Sequence, residues 1–259
     1  MYINHEDALA KKLTEMIESE LLRLGLLYRI FSRSKTIDSI SKKIYNKGEG
    51  YYSPTGKKIQ DAFGVRIALY FFDDLPVAQE ILKKSFKLLS KEVNDFNNEL
   101  FSAQRCNYIF KLPNDISRDS QIIQENPLID DTFEVQFRTI LSEGWHEVEH
   151  DLRYKCKTDW DGHDDLSRNL NGIYATLETA DWGIMKLFED LSYRHYKASE
   201  WGPMIRNKFR LRMDDDLRED ILDVIECNSL GKKIFRLDRE LVLGKILDLK
   251  LDFPININN

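Results

Sequence analysis

Residues 131–155 hold two periodicities back to back, and few folds accept both. In Phe133-Glu134-Val135-Gln136-Phe137-Arg138-Thr139 the side chains alternate with the period of two that a strand imposes. Phe133, Val135 and Phe137 suit a core. Glu134, Gln136 and Arg138 line the other face about 7 Å apart, an acid, an amide and a guanidinium able to meet a metal ion, a base edge and a phosphate. After Thr139 the period becomes helical, with Leu141, Trp145, Val148 and Leu152 on one stripe. The other faces carry His146, Glu147, Glu149, His150, Arg153 and Lys155. This is a strand that runs straight into a helix.

Within that helix His146-Glu147-Val148-Glu149-His150 is a literal H-E-x-x-H, in which two histidines one turn apart can hold zinc while the glutamate activates water. A zinc protease needs a third ligand. Asp151 to Cys156 supplies neither the glycine nor the histidine of one subclass, and Glu178 is the candidate for another. Without that context the two histidines read as structural or supporting groups rather than zinc ligands.

A chain of 259 residues, 42% hydrophobic and 32% charged, can build one sizeable domain with an appendage. No apolar run approaches the roughly 20 residues of a membrane span. Met1 to Lys12 has no apolar segment behind a basic start, so no secretory signal is expected. Cys106, Cys156 and Cys227 are odd in number and far apart, which predicts reduced thiols in a cytoplasmic protein. The net charge of −6 argues against a protein that coats nucleic acid. Residues 23–66 are nevertheless basic, a local field suited to a polyanion such as a nucleoside triphosphate.

Taken in order, residues 6–31 predict a helix with Leu9, Leu13, Ile17, Leu21, Leu24 and Tyr28 inward. A second helix starts at Ser34 or Thr36, turns Ile37, Ile40 and Ile44 inward, and ends at Gly48 to Gly50. Across its start runs Arg33-x-Lys35, then Ser39, then Lys43; on a helix Lys35, Ser39 and Lys43 form a one-turn ladder of donors for successive phosphates. Asp61-Ala62-Phe63-Gly64-Val65-Arg66 then leads into a central strand at Val65–Phe72. A helix from Pro76 to about Ser90, a strand at Tyr108–Leu112 and a loop at Ser117–Asp130 precede the opening stretch. Beyond it come an acidic linker at Asp159–Asp165 and one or two helices at Leu166–Ala198. Met204–Met213 alternates basic and apolar, and helices at Asp215–Cys227 and Asp238–Leu249 close the chain. There is no P-loop.

Arg33-x-Lys35 with Ser39 and Lys43, Asp61-x-x-Gly64-x-Arg66, Glu134-x-Gln136-x-Arg138-Thr139, Trp145, Glu149-His150 and Tyr154-Lys155 together resemble the synthetase domain of the RelA/SpoT family. The order is similar to that of its small, single-domain alarmone synthetases and their toxic relatives. The resemblance covers roughly residues 25–155. It implies an α/β fold: a mixed sheet of about five strands, nucleotidyltransferase-like and flanked by helices. Residues 1–200 would form the synthetase domain, and 201–259 a helical C-terminal extension. It implies transfer of pyrophosphate from ATP to a ribose 3′-hydroxyl, with Asp61 and Glu134 catalytic and holding Mg²⁺. Arg33, Lys35, Ser39, Lys43 and Arg66 would bind ATP, Arg33 by stacking on adenine; Gln136, Arg138 and Tyr108 would face the acceptor.

One motif of the guanine-nucleotide users, Asn-Gly-Tyr-x-x-x-His, is missing. Phe101 to Tyr108 stands there with only Asn107-Tyr108 as an echo. The tRNA 3′ end, the acceptor of the toxic members, is therefore preferred over GDP or GTP, with Lys11, Lys12, Arg23, Arg29, Arg206, Lys208 and Arg210 as candidate tRNA contacts. An antitoxin or further copies of the chain are the implied protein partners. With about thirty residues before Arg33, no built-in hydrolase domain is expected. The reading of another class is an inactive regulatory module, which would have no chemical reason to keep both Asp61 and Glu134.

Overall fold

A computed structural model describes residues 5–93 and 106–259. Its centre is a five-stranded mixed sheet in the order β1-β2-β5-β4-β3. The strands are β1 (Tyr28–Ser34), β2 (Phe63–Leu69), β3 (Leu88–Val93), β4 (Cys106–Lys111) and β5 (Thr132–Thr139). β2 and β5 are parallel neighbours, and every other pairing is antiparallel. The alternation in β5 has the effect expected of it. Phe133, Val135 and Phe137 pack with Phe63, Val65, Ile67 and Phe110 in one core, leaving a polar face on the other side.

Helices α1 (His5–Arg23) and α3 (Leu75–Ser85) cover the apolar face, through Leu13, Ile17 and Leu21 of the first and Ile81 and Leu82 of the second. Two short helices, α4 (Asn114–Asp119) and α5 (Gln121–Glu125), stand where a loop was expected. Buried Glu6 holds their junction by accepting from the Ser120 hydroxyl at 2.8 Å and the Gln121 amide at 2.8 Å. α2 (Ile37–Lys47) begins at Thr36, whose hydroxyl accepts from the Ser39 amide. Only Ile40 of its isoleucines is buried, and Ile37 lies out in solvent.

Two strands fell inside predicted helices. The first helix stops at Arg23 because Gly25 takes a left-handed φ of 73° and turns the chain into β1. Tyr28 is buried as expected, but on a strand. β3 lies at the sheet edge with nearly every side chain exposed, so it has no apolar run to announce it.

After β5 the chain enters α6 (Ile140–Glu149), continues as a π-helical turn over His150–Tyr154, and then forms α7 (Asp164–Ala198). α6 packs on the polar face of the sheet, so the residues it buries are Glu143, Trp145 and His146. Val148 and Leu152, expected inward, are 48% and 62% exposed. The wider turn after Glu149 also rotates Leu152 away from the stripe. The C-terminal helices are α8 (Trp201–Phe209), α9 (Glu219–Cys227), α10 (Gly231–Arg236) and α11 (Arg239–Leu249). The stretch read as alternating at 204–213 is thus mostly helix, and its residues Phe209, Leu211 and Met213 join the main core. The tail pairs with the first helix through the Ile255 amide to the Arg23 carbonyl, 2.9 Å. Among the described residues no helix is long and apolar enough to cross a membrane.

Candidate active site

On the polar face, strand register sets the positions. Gly64 of β2 lies between Arg33 of β1 and Glu134 of β5; one row along, Arg66 lies between Phe31 and Gln136. Gly64 has no side chain, and a Cβ there would meet nothing within 4 Å. The floor between Arg33 and Glu134 is therefore bare backbone beneath a cavity of about 280 Å³. Phe31, Arg33, Arg66, Glu134 and Gln136 line it from the sheet, Glu143 and Glu147 from α6.

Asp61 sits just before β2. Lys35, whose amide bonds the Ala62 carbonyl at 2.8 Å, donates to Asp61 Oδ2, and Lys43 from α2 reaches both oxygens at 2.7 Å. Lys35 thus precedes the helix instead of riding on it, and the expected ladder becomes a two-lysine clamp on one carboxylate. Ser39 is outside the clamp and accepts from the capping Thr36 hydroxyl at 2.9 Å. Burial pushes the Asp61 carboxyl up, but the two ammonium groups outweigh it and hold it below the usual range. For Lys35 burial wins and its pKa falls; for Lys43 the same acid overcomes burial and raises it.

Glu134 accepts from Asn107 Nδ2 at 2.9 Å and from Gln136 Nε2 at 3.1 Å. Burial, then the nearby negative charge of Asp61, lift its carboxyl above the ordinary glutamate range. Gln136 Oε1 in turn accepts from Arg66 Nε at 3.3 Å and Arg138 Nη2 at 3.2 Å. Glu143 bridges both arginines, at 2.7 Å to Arg66 and 2.9 Å to Arg138, and Glu147 binds the same Arg66 nitrogen. The site is one hydrogen-bonded row from Asn107 to Glu147, beside the Asp61 clamp. Four carboxylates, two lysines and three arginines converge here; Glu143 and Glu147 are taken up by Arg66 and Arg138, and the rest suits charge-assisted binding of phosphates next to a group that can take a proton.

Tyr108 is not part of this surface. It pairs with Val135, so its ring enters the core against Phe110 and Phe137 while its hydroxyl donates to Gln79 at 2.9 Å. The neighbouring Phe101–Arg105 lies outside the described residues. Phe31, Asn107, Glu143 and Glu147 were not singled out from the sequence for this site. Phe31 was hidden in a predicted helix end; the others become visible only once β4 and α6 are placed against β5.

The H-E-x-x-H residues do not converge. His146 packs between Trp145 and Tyr174, and burial drives its pKa down to about 3, helped by Arg138 and Arg66. His150 turns outward to Asp151 at 2.9 Å. Among the described residues no group of three His, Cys, Asp or Glu side chains is placed to hold a metal ion.

The candidate tRNA cations also divide. Arg210 is buried and bound to Asp73, so it is closed to a large ligand; Lys12 is paired with Asp115 at 2.6 Å, and Arg206 donates to the Asp215 carbonyl at 2.9 Å.

Residues 32–159 match the family described as "Region found in RelA / SpoT proteins". The GTP pyrophosphokinase YwaC of Bacillus subtilis is 27% identical over 131 residues, which cover 49% of this chain and 59% of that protein. The match therefore spans less than two thirds of that relative. The small alarmone synthetase 1 of Bacillus subtilis superposes with a TM-score of 0.50 at 18% identity, over 70% of this chain and 92% of that one. A GTP pyrophosphokinase family protein from Streptococcus pneumoniae does so with 0.50 at 20%, over 71% and 88%. These superpositions concern the fold, a mixed sheet flanked by helices. With Arg33, Arg66, Glu134 and Gln136 of its motifs around one cavity and the motifs in order along the matched stretch, residues 32–159 of the chain form a RelA/SpoT region.

Proposed function

We propose that the chain is an ATP-dependent pyrophosphokinase that moves the β,γ-pyrophosphate of ATP to a ribose 3′-hydroxyl. The observation that carries this reading is Asp61 and Glu134 at the mouths of adjacent parallel strands, with Lys35, Lys43, Arg33 and Arg66 around them. A triphosphate carries about four negative charges, and those cations can offset them. Arg33 and exposed Phe31, two residues apart on one face of β1, can bracket a base.

The donor set suits Mg²⁺. Asp61 and Glu134 offer hard carboxylate oxygens, and Mg²⁺ sites commonly use one or two carboxylates plus substrate phosphates. Bound there, Mg²⁺ would neutralise phosphate charge in the transition state. Lys35 and Lys43 are shared between Asp61 and incoming phosphate, so they bind the nucleotide where the carboxylate lies. Glu134, above its ordinary pKa and held by two amides, accepts the 3′-hydroxyl proton. The hydroxyl oxygen bonds to the β-phosphorus, the bond to the α,β-bridging oxygen breaks with its electron pair, and AMP leaves. Gln136 and Arg138 orient the acceptor.

For the acceptor we favour the tRNA 3′ end. Tyr108 is committed to the core, which leaves free guanine without that platform, whereas a tRNA can be held by remote phosphates such as those reachable from Lys11 and Arg29. GDP or GTP is the second reading, supported by the relative's being a GTP pyrophosphokinase. Residues 1–200 would carry the reaction, in the cytoplasm, with 201–259 as a bracing extension; a tRNA-directed activity would call for a neutralising partner. The test is incubation with ATP labelled in its β- or γ-phosphate plus deacylated tRNA, GDP or GTP. Label in tRNA with release of AMP supports the preferred acceptor, and label in GDP or GTP alone replaces it. Label in none of them overturns the reaction.

A further inference from the structure

On the apolar side of the sheet, the last turns of α1, α3 and α11 and the tail line a recess of about 330 Å³. That exceeds the 280 Å³ of the candidate active site and falls in the range of small-ligand pockets. Its walls are aliphatic: Leu24, Ile81 and Ile255 are buried, and Ile246, Leu247 and Leu251 partly so. No aromatic ring belongs to the lining, so a flat base has nothing to stack on, whereas a flexible alkyl chain can fill the space. The rim is basic. Arg23, Lys84 and Lys250 meet there with Glu20 as the one acid, in a chain of net charge −6. Two of these cations are already engaged: Arg23 pairs with Glu20, and Lys84 with Asp248 at 2.6 Å. Exposed Lys250 has no hydrogen bond or ion pair among the described residues. It also ends α11 in the left-handed region, at φ 48°, where glycine is the usual residue. Such strained residues concentrate at ligand clamps and active sites.

We propose that this recess binds a free medium-chain fatty acid, with its alkyl chain against the aliphatic walls and its carboxylate on the Lys250 ammonium. An apolar chamber with a few convergent charged groups at its edge is the form such a ligand needs. The unpaired lysine supplies a charge-assisted hydrogen bond to the head group, and Lys84 can turn from Asp248 to give a second. An occupant would join parts of the fold that are tied by few polar bonds. The tail is held to α1 through the Ile255 amide on the Arg23 carbonyl, 2.9 Å, and α11 to α3 through the exposed Lys84–Asp248 pair. A chain lying between Leu24, Ile81 and Ile246 would brace all three helices against the tail.

The recess shares no residue with the candidate active site, so binding is tested without turnover. Calorimetry of the full chain with decanoate, kept below its micelle concentration, should show one site. Octanoate, two methylenes shorter, should bind roughly tenfold more weakly. Decyltrimethylammonium has the same alkyl chain and the opposite charge, and should bind about tenfold more weakly than decanoate. With decanoate present, amide exchange should slow at the lining of α1, α3, α11 and the tail and not elsewhere. K250E changes an exposed side chain, so the melting temperature should hold while decanoate affinity falls about tenfold. I246W should fill the recess and remove binding; if that variant fails to fold, K250E still decides. No decanoate binding, equal binding of the ammonium compound, protection spread over the surface, or normal binding by K250E would each overturn the proposal.

Discussion

Gly64 makes the site possible by having no side chain, and that separates site from fold at a single residue. A valine there would project from the sheet floor into space that is free of atoms. G64V is therefore expected to leave the melting temperature nearly unchanged and to abolish binding of a non-hydrolysable ATP analogue, measured by calorimetry. E134Q keeps the hydrogen-bonding shape but cannot take the proton; turnover should drop by about 10²–10⁴ with the fold intact. In the native chain the acid limb of the pH–rate profile should lie above that of an ordinary glutamate, because burial and Asp61 both favour the protonated form. His146 offers a stability test. Burial depresses its pKa to about 3 against 6.5 in the unfolded chain, so between those values the unfolded state binds more protons. Its contribution is complete above pH 6.5 and is lost as pH falls towards 3. A denaturant series at pH 7 and pH 4.5 should show H146F losing less stability on acidification than the native chain, by a kcal/mol or more.

At the scale of elements, α2 and α6 each bring charge to the site, Lys43 from the first and Glu143 and Glu147 from the second. Thr36 caps α2 and sits between Lys35 and the helix that delivers Lys43. T36A should cost about 1 kcal/mol, read from the urea midpoint, and weaken nucleotide binding by loosening the clamp. The sequence made β5 legible because its two faces differ in polarity at every step, and β2 legible through an apolar run. It hid β1, which follows a helix after a single glycine reversal, and β3, an exposed edge strand with no pattern. It also misplaced the inward stripe of α6. That stripe looked for apolar burial, whereas the helix lies on a polar sheet face, where Glu143 meets two arginines. Motif spacing located Lys35, Lys43 and Asp61, but not that the lysines would converge on the acid. Sequence distance on a presumed helix could not express a turn of chain that begins one residue later.

Across the whole molecule, the C-terminal helices are fastened to the loop before α3 by a buried charge cluster. Arg239 bonds Asp74 and reaches Asp73 at 3.4 Å, and Arg210 bonds Asp73 while its guanidinium stacks over Phe71. Asp74 is fully buried, and burial holds its pKa at about 6 despite Arg239. R239A would strand that carboxylate, at a cost of roughly 3–5 kcal/mol near pH 8. The folded pKa lies above the unfolded 3.8, so the folded state gains protons as pH falls through 6. Denaturant melts of R239A should accordingly show a smaller loss at pH 5 than at pH 8.

Strand order has a consequence in time. β2 and β5 are neighbours in the sheet, yet β3 and β4 are made between them. While the chain is being synthesised, the Asp61 half of the site emerges with its lysines, and nothing can yet stand beside it. Glu134 follows 73 positions later (134 − 61), and the parallel pairing that aligns the two halves is a non-local contact of the slow-forming kind. A ribosome making this chain is thus never faced with a working copy still attached at its midpoint, and chemistry starts only after the sheet closes.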